Sequence, residues 1–310
     1  MKNEHRVAVI IPCLNEEGAI GKTVSEFKRT LPDADIYVYD NNSTDNTILE
    51  ARNSGALVYK EKRQGKGHVV KRMFFDVEAD VYILVDGDNT YDATIAPFLV
   101  EQMLREKIDM ITATRNFQDH SFPPGHILGN RIFSKLINTF FNAELTDVFS
   151  GYRFMTRRFV KSIPIVSNGF EIETELTVHA QQIRASTLEV PSNYGSRPIE
   201  TKSKLSTYSD GFKILRFILF LLRDVKPFLF FSAISFMLTC TSLSLGVPVI
   251  SEFYDTGLVE RFPTAILSSG IGLIAVMCFF TGIILDSISR SRLETKKINF
   301  LSITNNIENL

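Results

Sequence analysis

Short apolar runs alternate with helical stretches from Val7 to Thr114, and this alternation constrains the chain more than any other feature. Val7-Ala8-Val9-Ile10-Ile11 reads as a strand and Ala19 to Leu31 as an amphipathic helix. Ile36 to Tyr39, Ala56 to Tyr59, Val81 to Val85 and Asp109 to Thr114 read as further strands. Helical patterns over Asp45 to Ser54, His68 to Ala79 and Tyr91 to Glu106 separate them. Strands joined through helices pair in parallel, because a parallel crossover needs a connection of that length. The expectation is an α/β fold with a mainly parallel sheet flanked by helices on both faces. Ligands of such sheets bind beyond the carboxyl ends of the strands. Polar clusters fall at those ends: Asn15-Glu16-Glu17, Asp40 to Asp45, Arg63 to His68 and Asp86 to Asn89.

The last hundred or so residues differ in kind. Pro227 to Ser251 and Phe262 to Leu285 contain no charged residue, and each is long enough to cross a hydrocarbon core of roughly 30 Å as a helix. Glu252, Asp255 and Glu260 face Arg261 alone in the connection, whereas Arg216, Arg223 and Lys226 precede the first run and Arg290, Arg292, Lys296 and Lys297 follow the second. The positive-inside rule then places both termini in the cytoplasm. The Phe212 to Arg223 segment sets Lys213, Arg216 and Arg223 on one helical face and apolar residues elsewhere, which suits a helix in the membrane interface. A third, short span is the alternative, disfavoured by its cations. The expected organisation is a catalytic domain over 1–205, an amphipathic interfacial helix over 206–226, transmembrane helices over 227–251 and 262–285, and a cytoplasmic tail over 286–310. The polar start before Val7 lacks a signal-peptide pattern, which keeps the catalytic part in the cytoplasm. A net charge of −1 gives no field that would draw the chain to nucleic acid. Cys13, Cys240 and Cys278 are scattered without ligand spacing and read as ordinary buried thiols.

Asp86-Gly87-Asp88 closes the fourth strand. Two carboxylates there suit a hard divalent cation, Mg²⁺ or Mn²⁺, which shares its oxygen ligands with substrate phosphates. A polar loop ending a strand is the plainer reading. The first loop, Pro12-Cys13-Leu14-Asn15-Glu16-Glu17-Gly18, lacks the GxGxxG of a dinucleotide fold. Asp40 suits a base or ribose contact, while Ser43 to Asp45 is equally a helix cap. Arg63-Gln64-Gly65-Lys66-Gly67 opens a helix as either a phosphate or ribose contact or a flexible turn. Arg153 offers a two-pronged donor for phosphate or a surface ion pair. Glu171, Glu173 and Glu175 crowd a helix start, where solvation is the default.

Taken in order, PCLNEE, DNNSTDNT, RQGKG, DGDNT and DVFSGYR resemble the family 2 glycosyltransferases of GT-A fold. The branch resembled is that of dolichol-phosphate mannose synthase and the bacterial polyprenyl-phosphate glycosyltransferases, over roughly residues 6–226. The resemblance implies a nucleotide-sugar donor, Mg²⁺ or Mn²⁺, and a polyprenyl-phosphate acceptor, undecaprenyl or dolichyl. It implies that Pro12, Leu14, Asn15, Glu16 and Asp40 line the nucleoside pocket, with Lys66 and Gly67 on the ribose side. Asp86 and Asp88 would be metal ligands, with Thr90 standing where some relatives have a Gln. Arg115 would face the phosphates. Arg131, Ser150 and Arg153 would meet the acceptor phosphate, with Asp147 in the same acceptor-side segment, and Glu173 would face the sugar. The Gly169-Phe170-Glu171-Ile172-Glu173 segment looks more like users of UDP-GlcNAc or UDP-glucose than of GDP-mannose.

The implied reaction inverts the anomeric centre. A phosphate monoester is largely dianionic at neutral pH and attacks without a general base. Two other functions fit less well. A processive polysaccharide synthase would carry QxxRW, and this chain has no Trp. A non-catalytic membrane-tethered sugar-nucleotide binding protein would not need the acidic pair together with Arg115 and Arg131. A homo-oligomer is compatible with the chain.

Overall fold

The computed structural model describes residues 5–115, 134–135, 137–139, 145–195, 216, 219–220 and 222–304. Contacts divide the chain into two compact units, residues 1–211 with 296–310, and residues 212–295.

The first unit is built on a seven-stranded sheet of order β3-β2-β1-β4-β6-β5-β7. The strands are β1 (Val7–Cys13), β2 (Asp35–Asp40), β3 (Leu57–Lys60), β4 (Val81–Leu84), β5 (Met110–Arg115), β6 (Arg153–Thr156) and β7 (Thr187–Ser192). All pairs are parallel except those of β6, which runs antiparallel to both β4 and β5. Helices α1 (Ile20–Thr30), α2 (Thr47–Asn53), α3 (Lys66–Asp76) and α4 (Ala96–Glu106) connect the strands, followed by α5 (Arg157–Ser162) and α6 (Ile172–Ile183). The five expected strands are all present. β6 and β7 lie outside the expected pattern. β6 is four residues long and begins with a charge, and β7 carries Pro191. β7 is the terminal strand of the sheet, where a missing backbone donor is tolerated.

Alternation along β1 sends Val9, Ile11 and Cys13 into a core with α1 and α4, and Ala8 and Ile10 into a core with α3 and α6. Both faces of the central strand are therefore dry, as a doubly covered sheet requires. The side chain of Phe300, far along the chain, joins the second of these cores.

The second unit holds two long helices, α7 (Pro227–Thr256) and α8 (Phe262–Ser302). Both are long and apolar enough to cross a membrane. They touch through serines, glycines and an edge-on Phe228–Phe279 ring pair. Ser242 Oγ donates to the Ser268 carbonyl at 2.8 Å and Ser268 Oγ returns the bond to the Ser242 carbonyl at 2.9 Å. A Cβ on Gly246 would stand 2.6 Å from Ser268 Oγ, so glycine lets the helices approach. α8 does not stop where its charge-free run ends. Its last turns, from Lys296, belong to the first unit, where Lys296 Nζ donates to Gln182 Oε1 at 2.9 Å and the Arg158 guanidinium lies 4.9 Å from the Phe300 ring. Of the three thiols only Cys13 is buried; Cys240 is exposed on α7, because apolar residues on that helix face outward. The expected interfacial helix falls largely outside the described residues.

Candidate active site

β4 ends in a turn whose two carboxylates are held differently. Asp88 is 2% exposed and accepts from Thr90, from its backbone N–H at 3.3 Å and its hydroxyl at 2.6 Å. Asn89 sits at φ 55°, a left-handed conformation that Asn tolerates. Thr90 thus fixes the rotamer of Asp88. Asp86 is more open, with its side chain 31% exposed. A Cβ on Gly151 would come within 2.4 Å of Asp86 Oδ2, so the glycine makes room for this carboxylate. Gly151 N–H is itself fixed by the Tyr91 hydroxyl at 2.9 Å.

The loops after β1 and β2 are stitched to one another. Asn15, at φ 49°, accepts from the Thr44 N–H at 2.8 Å, and its own N–H donates to Ser43 Oγ at 2.9 Å. Glu16 N–H donates to Thr47 Oγ1 at 2.8 Å. Pro12 and Leu14 are half-buried beside them. Asp40 is fully buried and accepts from the N–H groups of Asn42 and Ser43. Asn41 joins the third loop, donating to the carbonyls of Glu61 and Arg63 and accepting from Gly65 N–H at 2.7 Å. Asp45 accepts from the Thr47 N–H at 3.0 Å. Burial would raise its pKa, but these bonds and one from Glu17 N–H outweigh it and hold the carboxyl below its ordinary range.

Gly65 and Gly67 open α3 against the backbone of Ser167 and Asn168. A Cβ on Gly67 would stand 2.3 Å from the Ser167 carbonyl, and Gly65 has φ +130°. Their closeness delivers Lys66 to the acidic turn. Its ammonium, 9% exposed, bonds Asp86 Oδ1 and Glu173 Oε1, both at 2.5 Å. Burial alone would lower the lysine's pKa; the two carboxylates outweigh it, and the group is held charged above its ordinary value. The three acidic residues of the α6 start thereby separate. Glu173 pairs with Lys66, Glu175 accepts from the N–H groups of Val166 and Ser167 at 2.8 Å, and Glu171 Oε2 is buried without a hydrogen bond.

Residues 8–163 match the model of glycosyl transferase family 2. Glycosyltransferase AglJ of Haloferax volcanii is 30% identical over 97% of this chain and all of its own length. The chain belongs to the family 2 glycosyltransferases. An uncharacterized protein of Shigella flexneri is 51% identical over half of this chain and 96% of its own. Among solved structures, glucosyl-3-phosphoglycerate synthase from Mycobacterium tuberculosis, crystallised with Mn²⁺, UDP-glucose and phosphoglyceric acid, aligns with a TM-score of 0.57 at 21% identity. That alignment covers 71% of this chain and 80% of that one, and at such identity the likeness is one of fold.

In this glycosyltransferase several residues stand elsewhere than their motifs suggested. Arg153, expected at an acceptor phosphate, is fully buried at the start of β6. Its guanidinium donates to the carbonyls of Ser150 at 3.0 Å and Val148 at 2.9 Å. Burial lowers its pKa, against the pull of Glu173 and Asp147. Ser150 is also fully buried and donates to the Ala113 carbonyl. β6 lies between β4 and β5, and the side chain of its first residue is enclosed. Both residues bond backbone carbonyls of the chain itself. Glu173, expected to face the sugar, is 4% exposed and turned to Lys66. Arg115 forms a two-pronged pair with Asp147 at 2.7 and 2.8 Å and lies over Tyr194. Burial opposes its charge, and Asp147 more than restores it. Arg131 lies outside the described residues.

Among the described residues no group of three or more His, Cys, Asp or Glu could hold a divalent metal unaided. Two adjacent carboxylates with oxygen donors alone do fit a cation that completes its shell with phosphates. Thr90 serves as a support of Asp88. The sequence signal for this was present: Asp92 accepts from Thr94 in the same Asp-x-Thr geometry, as does Asp45 from Thr47.

Proposed function

We propose that this glycosyltransferase moves a hexosyl or N-acetylhexosaminyl group from a nucleotide-sugar to a polyprenyl phosphate, inverting the anomeric carbon. The observation that carries this reading is one chain uniting an acidic turn at the carboxyl end of β4 with two helices apolar enough for a bilayer. A Haloferax volcanii dolichyl-phosphate hexose transferase, 26% identical over 63% of this chain, supports a lipid acceptor. The Mn²⁺ and UDP-glucose of the mycobacterial neighbour support a UDP-sugar donor, UDP-GlcNAc or UDP-glucose ahead of GDP-mannose.

Asp86 and Asp88 would hold Mg²⁺ or Mn²⁺, which when bound neutralises charge on a departing diphosphate. The stitched loops at Asn15, Asp40 and Asn41 form a rigid floor for the nucleoside, already satisfied internally and so costing little reorganisation on binding. Lys66 supplies a cation beside the phosphates. The acceptor needs no general base, because its phosphate is already ionised. With Arg153 enclosed, Arg131 is the acceptor-side cation in this reading. Both termini are cytoplasmic and residues 252–261 lie outside. Keeping the lipid tail in the bilayer avoids about 0.8 kcal/mol for each CH₂ that would otherwise meet water.

The test is a donor panel of UDP-Glc, UDP-GlcNAc, UDP-Gal and GDP-Man, each with undecaprenyl and with dolichyl phosphate, assayed for label in the lipid phase. One UDP-sugar should label the lipid. Transfer only to water-soluble acceptors would sink the assignment, and cysteine labelling that put positions 255 and 5 on one side would sink the topology.

A further inference from the structure

Lys66 occupies a position that helix electrostatics disfavours. It is the first residue of α3, where the backbone presents unpaired N–H groups and partial positive charge. It is also nearly enclosed. What compensates it is a pair of carboxylates from two distant segments, Asp86 after β4 and Glu173 in the first turn of α6. Asp86 is at the same time one of the two residues read here as metal ligands. Gly65 and Gly67, packed against Ser167 and Asn168, leave no slack in the loop that carries the lysine. The arrangement is built, and it puts an ammonium on a carboxylate that a divalent cation would use.

We propose that Lys66 is the resident counter-ion of Asp86, that a divalent cation must displace it, and that Glu173 is the positioning residue that retains the displaced ammonium. The inference rests on the metal reading of Asp86 and Asp88. An ammonium and a divalent cation repel each other across a shared carboxylate, so the cation alone binds weakly. Lys66 has three donors, two of which the carboxylates take. When a nucleoside diphosphate arrives, the ammonium exchanges Asp86 for a phosphate oxygen while keeping Glu173. One N–H···O bond replaces another and no proton is transferred. Metal and nucleotide therefore load together.

The experiment is titration of full-length protein in detergent with Mn²⁺, reading free Mn²⁺ by electron paramagnetic resonance, alone and with UDP or GDP. Wild type should bind Mn²⁺ at least tenfold more tightly with one of the two nucleotides than without. Lys66→Met should bind Mn²⁺ alone at least tenfold more tightly than wild type, and the nucleotide should add less. The double variant Lys66→Met/Glu173→Gln removes the cation without leaving an extra carboxylate, and it too should exceed wild type. Lys66→Arg, which keeps the charge, should not. Should Lys66→Met fail to give a cooperative melt, the wild-type protein still decides: Mn²⁺ alone should leave its melting temperature unchanged, and Mn²⁺ with nucleotide should raise it. Wild type binding Mn²⁺ alone as tightly as with either nucleotide overturns the proposal and leaves the metal reading standing. No Mn²⁺ binding by any form, with or without nucleotide, overturns both.

Discussion

The sheet unit and the helix pair use the same apolar residues in opposite ways. Val9, Ile10 and Ile83 are fully enclosed between helices, while Phe236, Met237 and Leu273 are 70%, 69% and 65% exposed. Polar groups differ as sharply. The sheet unit buries Asp40, Asp88, Asp109, Asp147 and Glu173, each engaged by named donors. Between α7 and α8, among the described residues, serines donate to carbonyls of the facing helix. Composition and pattern both separate the two regions. Alternation with period two or 3.6 marks surfaces with a dry side and a wet side, whereas a charge-free run apolar all round marks a helix whose surroundings are apolar on every side. The buried charges thus gather in the sheet unit, while the helix pair turns apolar side chains outward and is long and apolar enough to cross a membrane.

The division is sharpened most by Asp88→Asn. If chemistry resides in the β4 turn, turnover should fall by about 10³-fold or more, equivalent to several kcal/mol of lost leaving-group stabilisation. The melting temperature should hold, since Asn still accepts from Thr90. Lipid-product kinetics beside a thermal melt checks both, and turnover within tenfold of wild type would remove Asp88 from the metal site.

Arg153→Met comes next. The change orphans the buried carbonyls of Val148 and Ser150, at about 2 kcal/mol each. Stability should therefore drop by about 4 kcal/mol, and donor and acceptor KM values of the folded protein should move together. A selective rise in the acceptor KM would return Arg153 to the lipid side.

That residue also shows where the sequence was legible and where it was not. The five parallel strands and the acidic turn were readable because apolar runs and strand-end polar clusters are local signals. The burial of Arg153 was not, because it depends on β6 slotting between β4 and β5, a pairing of distant segments. A motif gives residue type and spacing, and the same SGYR string serves a phosphate or a loop's own carbonyls. The pairing of Glu173 with Lys66 was hidden for a related reason. Three glutamates at one helix start are equivalent in sequence, and only the approach of Gly67 to Ser167 decides which of them meets Lys66. Thr90 was within reach, since Asp-x-Thr occurs three times with one geometry.

Phe300→Ala probes the place where the two regions meet along the chain. Phe300 is 6% exposed in the core formed with α3 and α6, and Arg158, fixed on it by Asp109 at 2.6 Å, loses its ring partner. A loss of about 3 kcal/mol is expected for the sheet unit's unfolding, read by denaturant titration. An effect under 0.5 kcal/mol would mean that the end of α8 is a free tail after all, of order a surface substitution.

A smaller, pH-dependent effect is expected at His179 on α6. Burial, with the nearby Lys296 charge, lowers its pKa from 6.5 to about 3; Ser162 Oγ lies 3.2 Å from Nε2 and the Phe159 ring packs against it. The unfolded chain then binds a proton that the folded chain refuses, so stability is complete above pH 6.5 and falls as the pH drops towards 3. Between pH 6.5 and 5 the loss should reach about 2 kcal/mol, one proton at 1.36 kcal/mol per unit. His179→Gln should flatten that slope in melts across the range, and an unchanged slope would show that another group titrates.

The smallest expected effect falls on the helix pair itself. Phe236, 70% exposed on α7, has no dry core behind most of its ring, so its surroundings are supplied by whatever solvates the helix. If that solvent is lipid or detergent, Phe236→Ala exchanges one apolar surface for another and stability should change by no more than about 0.5 kcal/mol. Ile10→Ala in β1 should cost about 2–5 kcal/mol under the same conditions, because there the neighbours cannot close the gap. The two measurements together test the contrast between the regions and not merely the position of one ring. A cost at Phe236 as large as at Ile10 would mean that a second protein surface covers α7. The exposed face would then be an interface between copies of the chain, and the mass in detergent should fall in the Phe236→Ala protein. An unchanged mass with a small change in stability leaves the helices solvated by lipid, each apolar side chain contributing to anchorage and little to the fold.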